Sequence, residues 1–112
     1  MEEKLVSKVP ENDKIYQETI FFSDNRLLID LCGELDINLV NIENRLGVEI
    51  FRRGNQLTII GEKDSITKTQ EVLKALYQKL EIGKPVDTAS VMSTISVLEG
   101  SSLKRSEKEI ST

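Results

Sequence analysis

The sequence predicts one α+β domain, in which a three-stranded antiparallel sheet packs against helices. Three observations predict it. The chain has 112 residues, of which 38% are hydrophobic, and this suits a single core. Apolar residues alternate along two short runs at 48–51 and 57–60, as in half-buried strands. Elsewhere they recur every three or four residues, as on one face of a helix.

The first part of the chain predicts a strand and a short helix. The strand covers 16–22, which is rich in residues that favour strands. Ser23 or Asp24 can accept hydrogen bonds from the first amides of a helix, and an apolar stripe follows. This helix is predicted over 25–32, and Gly33 ends it because glycine readily adopts the left-handed conformation found after helices.

A second short helix is predicted after the turn at 33–36. Asp36 is its candidate N-cap, because a carboxylate can accept hydrogen bonds from the helix amides. Gly47 lies just past its last turn. The apolar stripe of this helix consists of Leu39, Ile42 and Leu46.

The next part predicts a β-hairpin followed by a longer helix. The hairpin covers 48–60, and its two strands are separated by Arg53-Gly54-Asn55. The helix covers 64–82, and Gly83 closes it, with Pro85 shortly after. Its apolar face contains Ile66, Leu73, Leu76, Tyr77 and Leu80.

This pattern divides the chain into three segments. Residues 1–14 carry Pro10 among many charged residues and are predicted to be a flexible leader. The folded domain covers 15–83. Residues 84–112 are rich in serine and threonine and are predicted to be a linker or tail, with a weak helix over 87–98.

Composition argues against several classes of function. The chain has no histidine, so it lacks the usual general base and the commonest metal ligand, and we expect neither an enzyme nor a metal or cofactor site. Its one cysteine, Cys32, cannot form an internal disulfide, and no apolar run approaches the length of a membrane span. A cytoplasmic protein is therefore expected. The net charge of −4 disfavours strong binding to duplex nucleic acid.

The element order β-α-α-β-β-α resembles a type I KH domain over residues 16–83. That family has a Gly-x-x-Gly loop between its first two helices, apolar residues three and six positions further on, and a Gly-Val-x-Ile entry to the next strand. The matching positions here are Gly33-Glu34-Leu35-Asp36, Leu39, Ile42 and Gly47-Val48-Glu49-Ile50. The resemblance implies a KH-like fold with a groove for single-stranded nucleic acid. Asp36 departs from the glycine of the pattern.

A narrower resemblance is to the N-terminal KH-like domain of PhoH-like proteins. The matching residues are Phe-Ser-Asp-Asn-Arg-Leu-Leu at 22–28, Leu31, Gly33, Asn38-Leu39, Ile42-Glu43, Leu46-Gly47-Val48, Arg53-Gly54-Asn55 and Gly61. The resemblance implies a parent protein that is related to phosphate starvation or to RNA metabolism and that has a P-loop ATPase domain, which uses ATP and Mg²⁺. This chain contains no Gly-x-x-x-x-Gly-Lys-Ser/Thr motif. We therefore expect the ATPase domain to follow Thr112.

The resemblance places the nucleic-acid contacts on two segments. These are the loop residues Gly33, Glu34, Leu35 and Asp36, and the hairpin residues Arg52, Arg53 and Asn55. The loop brings two carboxylates to a place where phosphates would approach, and like charges repel. Asp36 is therefore expected to cap its own helix, and a direct phosphate role for the loop is the alternative. The hairpin arginines either contact nucleic acid or are solvated charges near a strand edge.

Two functions are compatible with these features. The first is a module that binds single-stranded RNA for the ATPase. The second is a protein-interaction or assembly module that docks on the ATPase domain or on other subunits and binds no nucleic acid. Residues 16–83 carry 8 basic and 11 acidic side chains, which favours the second. The first is preferred, because short contacts tolerate an unfavourable overall charge. The oligomeric state stays open.

Overall fold

The computed structural model describes residues 14–111, and side chains for residues 14–100. The predicted leader, 1–14, lies outside the described residues except for Lys14. The elements are β1 (Tyr16–Phe21), α1 (Asn25–Cys32), a 3₁₀ turn (Glu34–Asp36), α2 (Ile37–Leu46), β2 (Glu49–Arg53), β3 (Gln56–Gly61), α3 (Lys63–Glu81) and α4 (Thr88–Ser111). The predicted α+β class, with its three-stranded sheet, is confirmed, and the architecture is consistent with a KH-like fold.

The sheet is antiparallel, with β3 in the centre between β1 and β2. Ile20 of β1 lies opposite Leu57, and Ile50 of β2 lies opposite Ile59. Leu57 and Ile59 are fully buried, because side chains two residues apart on a strand share the face that packs against the helices. This pairing makes β1 and β2 the two edges of the sheet.

The core is almost entirely aliphatic, as the composition predicts. Its buried members come from all four helices, from β2 and β3 and from the adjoining loops: Phe22, Leu28, Leu31, Cys32, Leu39, Ile42, Val48, Ile50, Leu57, Ile59, Ile66, Val72, Leu73, Leu76, Val91 and Ile95. The ring of Phe22 packs against that of Tyr77, with centroids 4.9 Å apart. The Tyr77 hydroxyl accepts a hydrogen bond of 3.0 Å from the Asp24 amide, which ties the start of α1 to α3.

Asp24 is the N-cap of α1, one of the two residues predicted for that role. Its Oδ1 accepts hydrogen bonds from the amides of Arg26 and Leu27, at 2.9 and 3.3 Å. These bonds satisfy two of the amides that a helix start leaves without partners. The cap therefore fixes where the chain leaves the sheet and enters the helical pair.

The predicted linker or tail, 84–112, contains a helix where a weak one was predicted over 87–98, and two residues of this helix belong to the core. Helix α4 begins at Thr88 and packs against α2 and α3, and its Val91 and Ile95 are fully buried. Arg45 of α2 also pairs with Glu99, at 3.1 Å. Serine and threonine lower intrinsic helix propensity, but burial of an i, i+4 apolar stripe outweighs that deficit. The folded domain therefore extends beyond the boundary predicted at residue 83.

None of the helices within residues 14–111 combines the length and the hydropathy that crossing a lipid bilayer requires.

The N-terminus of α4 provides a pH-dependent prediction. Asp87 Oδ1 accepts a hydrogen bond of 2.8 Å from the Ser90 amide, and this bond holds the pKa of Asp87 below its ordinary value of 3.8. A carboxyl group with a lowered folded pKa stabilises the fold above the unfolded pKa and loses that effect as the pH falls through the folded pKa. We expect Asp87→Ala to lower Tm at about pH 7, and the deficit to shrink at about pH 2.

Thermal unfolding followed by circular dichroism checks this prediction. Asp87→Asn is the control, because asparagine is an equally good N-cap but does not titrate. It should keep a Tm close to the wild-type value at about pH 7. An Asp87→Ala deficit that stays constant across this pH range would contradict the assignment of Asp87 as a charged cap.

Candidate nucleic-acid interface

The loop between α1 and α2 has an unusual backbone. Gly33 has φ 79° and ψ 174°, a region that is essentially restricted to glycine. Leu35 and Asp36 have φ of 55° and 58°, and they are the two non-glycine residues with positive φ in the described part of the chain. Such a conformation costs an L-residue about 1–2 kcal/mol. The Asp36 amide donates to the Gly33 carbonyl at 3.0 Å, which closes the turn.

Asn38 packs against this loop from the interior of the protein. Its side chain is buried, and its Nδ2 donates a hydrogen bond of 2.9 Å to the Leu31 carbonyl near the end of α1. A Cβ atom on Gly33 would lie only 2.7 Å from Asn38 Nδ2. Gly33 is therefore needed for its conformation and also for the close approach of Asn38. Together these two residues set how α2 follows α1.

The expectation that Asp36 caps α2 with its side chain is wrong. The Asp36 carboxylate accepts no hydrogen bond from the amides of α2, and its Oδ1 lies 3.5 Å from Arg52 Nε. The reason is the backbone: a capping residue normally has β-region dihedral angles, whereas Asp36 is left-handed. Both side chains are substantially exposed, so this ion pair is weak. It nevertheless joins the loop to β2.

A second contact with the edge of β2 comes from helix α2. Glu43 Oε2 accepts a hydrogen bond of 2.7 Å from the Ile50 amide, a donor that points away from β3. The surface between this bond and the ion pair, where α2 and the loop meet the edge of β2, is where the resemblance to KH domains predicts a groove. Exposed aliphatic side chains occur on α1, on α2 and on the loop: Ile29, Leu35, Ile37 and Val40.

The predicted hairpin residues separate into three environments. Arg52 faces the loop and pairs with Asp36. Arg53 is exposed on the other side of the sheet, since adjacent residues of a strand point to opposite faces. Asn55 is held at the end of β1, where its Nδ2 donates to the Phe22 carbonyl at 3.1 Å. The structure therefore brings Arg52 to the loop residues but not Arg53 or Asn55.

Cys32 lies beneath the loop and is buried. Burial raises the pKa of its thiol to about 11, while nearby Arg52 lowers that pKa and Asp36 raises it to a smaller extent. The thiolate is the reactive form of cysteine, so the folded protein keeps Cys32 unreactive near neutral pH. Its role in the structure is to fill the core where α1 ends.

The comparison with known families gives no identification. No protein-family model matches this chain. The observed α+β architecture is consistent with a KH-like fold, while kinship with PhoH-like proteins stays a prediction from the residues quoted above.

The strained loop yields a stability prediction that can be tested without a ligand. Leu35 is 94% exposed, so replacing it with glycine removes little packing while relieving the left-handed strain. Glycine also loses more backbone entropy on folding, which offsets part of the gain. We expect Leu35→Gly to raise the free energy of unfolding by about 0.5 kcal/mol in urea denaturation.

Val97→Gly is the matched control, because Val97 is an exposed aliphatic residue inside a helix. That change should lower the free energy of unfolding by up to about 1 kcal/mol. If Leu35→Gly were as destabilising as Val97→Gly, the left-handed backbone assigned to Leu35 would be incorrect.

Proposed function

We propose that this domain binds single-stranded nucleic acid, RNA in particular, in the groove between α1–α2 and β2. The observation that carries the proposal is Leu35, a large apolar side chain held almost fully in solvent on a left-handed backbone. It adds little to the core and its conformation lowers stability. Backbone strain of this kind is concentrated at binding and catalytic sites. Leu35 is then a contact for an exposed base.

Arg52 supplies the complementary charge. Its pair with Asp36 is long, at 3.5 Å, and lies in solvent, so a phosphate can replace the carboxylate at low cost. A guanidinium group is suited to this exchange, because its donors match phosphate oxygens and its plane stacks on bases. Asp36 then acts as a competitor that keeps Arg52 oriented when no strand is bound.

The resemblance to PhoH-like proteins extends this proposal to a longer parent protein. There the domain would present a single strand to an ATPase domain, and ATP and Mg²⁺ would belong to that domain. The absence of a phosphate-binding lysine loop from this sequence is compatible with such a division.

Protein docking is the second candidate function. The loop carries two carboxylates, Glu34 and Asp36, and the neighbouring helices expose Ile29, Ile37 and Val40. An exposed aliphatic cluster is typical of a surface that another protein covers. This candidate predicts that nucleic acid does not bind at any salt concentration.

Fluorescence anisotropy with a labelled pool of random RNA of about 12 nucleotides tests the proposal. We expect Arg52→Gln to weaken binding about fivefold, because a charge-assisted contact to phosphate is lost. Arg45→Gln is the control, since Arg45 is a similarly exposed arginine in an ion pair with Glu99 of α4. Its affinity should stay within about twofold of wild type at about 0.1 M salt, where distant charges are screened. Equal losses in both variants would mean that the groove is not the binding site.

A further inference from the structure

The sheet has an outer face that is not part of the groove. Register and alternation place nine side chains on the outer face, the side of the sheet opposite the helices: Gln17, Thr19, Phe21, Glu49, Phe51, Arg53, Gln56, Thr58 and Ile60. None of them is buried. Phe21 is 71% exposed and Phe51 is 54% exposed, so two aromatic rings lie in solvent on one small sheet.

The arrangement of these side chains is regular. Phe51, Thr58 and Thr19 form one row across the three strands, and Arg53, Gln56 and Phe21 form the next. The hydroxyls of Thr19 and Thr58, two short side chains between the rings, are hydrogen-bonded to each other at 3.1 Å. Strand spacing and rise put the Cα atoms of Phe21 and Phe51 about 12 Å apart. Part of this surface is a shallow cavity of ≈ 450 Å³ next to Phe51 and Arg53.

We propose that the outer face is a stacking platform for bases of single-stranded nucleic acid, with Phe51 and Phe21 as the rings and Arg53 as the adjacent cation. Flat sheets with exposed aromatic rings stack two or three bases in sheet-based RNA-binding domains. The side chains between the rings are amides and hydroxyls, which donate to and accept from base edges. Arg53 lies beside Phe51 and can contact a phosphate or stack on a base.

Charge favours nucleic acid as the occupant. Although the chain is acidic overall, the acidic residue among the outer-facing positions of β2 is Glu49, at the far end of the strand from Arg53. The end with Phe51 and Arg53 is therefore locally basic.

The outer face and the groove meet at β2. Arg52 borders the groove, and its neighbours Phe51 and Arg53 lie on the outer face. A strand that leaves the groove past the edge of β2 reaches Phe51 directly, so both surfaces form one path. This inference therefore rests on the proposed function and identifies where the bound strand continues.

The test uses the whole chain, the same random RNA pool and three variants. Phe21→Leu/Phe51→Leu keeps apolar side chains on the sheet but removes the rings, and we expect it to weaken binding at least tenfold. Phe21→Tyr/Phe51→Tyr keeps the rings and should bind within about twofold of wild type. The leucine variant should keep the wild-type salt dependence, because stacking neutralises no phosphate, whereas Arg52→Gln should reduce it.

Photo-crosslinking of 4-thiouridine RNA to the wild-type protein gives a readout that does not depend on variant folding. The expected crosslinks lie in peptides that contain Phe51 or Phe21. If wild type binds RNA and Arg52→Gln weakens this binding, but the leucine variant binds RNA as wild type does, the platform proposal is overturned while the groove proposal stands. If wild type binds no RNA, both fail. If the leucine variant loses self-association and keeps RNA binding, the outer face is a protein interface and the platform is again overturned.

Discussion

Replacing Gly33 with alanine is expected to lower the free energy of unfolding by about 3 kcal/mol or more. Two effects add. The dihedral angles of Gly33, φ 79° and ψ 174°, lie in a region that alanine hardly enters. The new Cβ would also lie 2.7 Å from Asn38 Nδ2, which must then move and weaken its buried hydrogen bond to the Leu31 carbonyl. Urea denaturation measures the loss.

Alanine substitutions at two other glycines are the controls, and their expected effects on stability differ in sign and size. Gly47 has φ 71° and nothing within 4 Å of an added Cβ, so Gly47→Ala should cost only the left-handed strain, about 1 kcal/mol. Gly100 lies in α4 with open space around it, and Gly100→Ala should stabilise the protein by up to about 1 kcal/mol. A Gly33→Ala loss no larger than that of Gly47→Ala would show that Asn38 does not pack against Gly33 as described.

Replacing Asp36 with glycine is expected to raise the affinity for single-stranded RNA about tenfold. The change removes a carboxylate from the path that we propose for the phosphates, and it releases Arg52 from its ion pair. Glycine also suits the φ of 58° at this position, so we expect little change in the free energy of unfolding. The variant carries glycine at both ends of the 33–36 loop.

Glu99→Gln is the matched control for this gain. It changes the net charge by the same amount and releases Arg45 from a comparable ion pair between α2 and α4. The groove proposal predicts less than a twofold change for it at about 0.1 M salt. Equal gains for Asp36→Gly and Glu99→Gln would attribute the effect to overall charge and contradict a local role for Asp36.

Local patterns were sufficient to predict most of the fold. Asp24 was recognisable as a cap because its chemistry acts over three residues, and the hairpin followed from alternation around Gly54. The extent of α4 was missed because serine and threonine lower helix propensity, whereas the burial of Val91 and Ile95 that stabilises it depends on α2 and α3.

The candidate site was predicted less completely, because its key features are not local. The ion pair between Asp36 and Arg52 joins positions 16 residues apart, and the left-handed backbone that turns Asp36 away from its helix is not evident from residue type. Asn55, a predicted contact, also donates a hydrogen bond to the Phe22 carbonyl at the end of β1, 33 residues away in the sequence. Alternation with buried Ile50 and buried Phe22 is sufficient to expect Phe51 and Phe21 on the outer face, but their proximity could not be predicted, because the strand pairing was unknown.

A salt titration of RNA binding tests the central claim most directly. Binding of the labelled random pool is measured by anisotropy from about 50 to about 200 mM salt. One or two phosphate contacts, with Arg52 among them, predict a slope of about −1 in log affinity against log salt, and hence a loss of about fourfold over this range. No detectable binding even at the lowest salt would contradict the claim that this domain holds single-stranded nucleic acid.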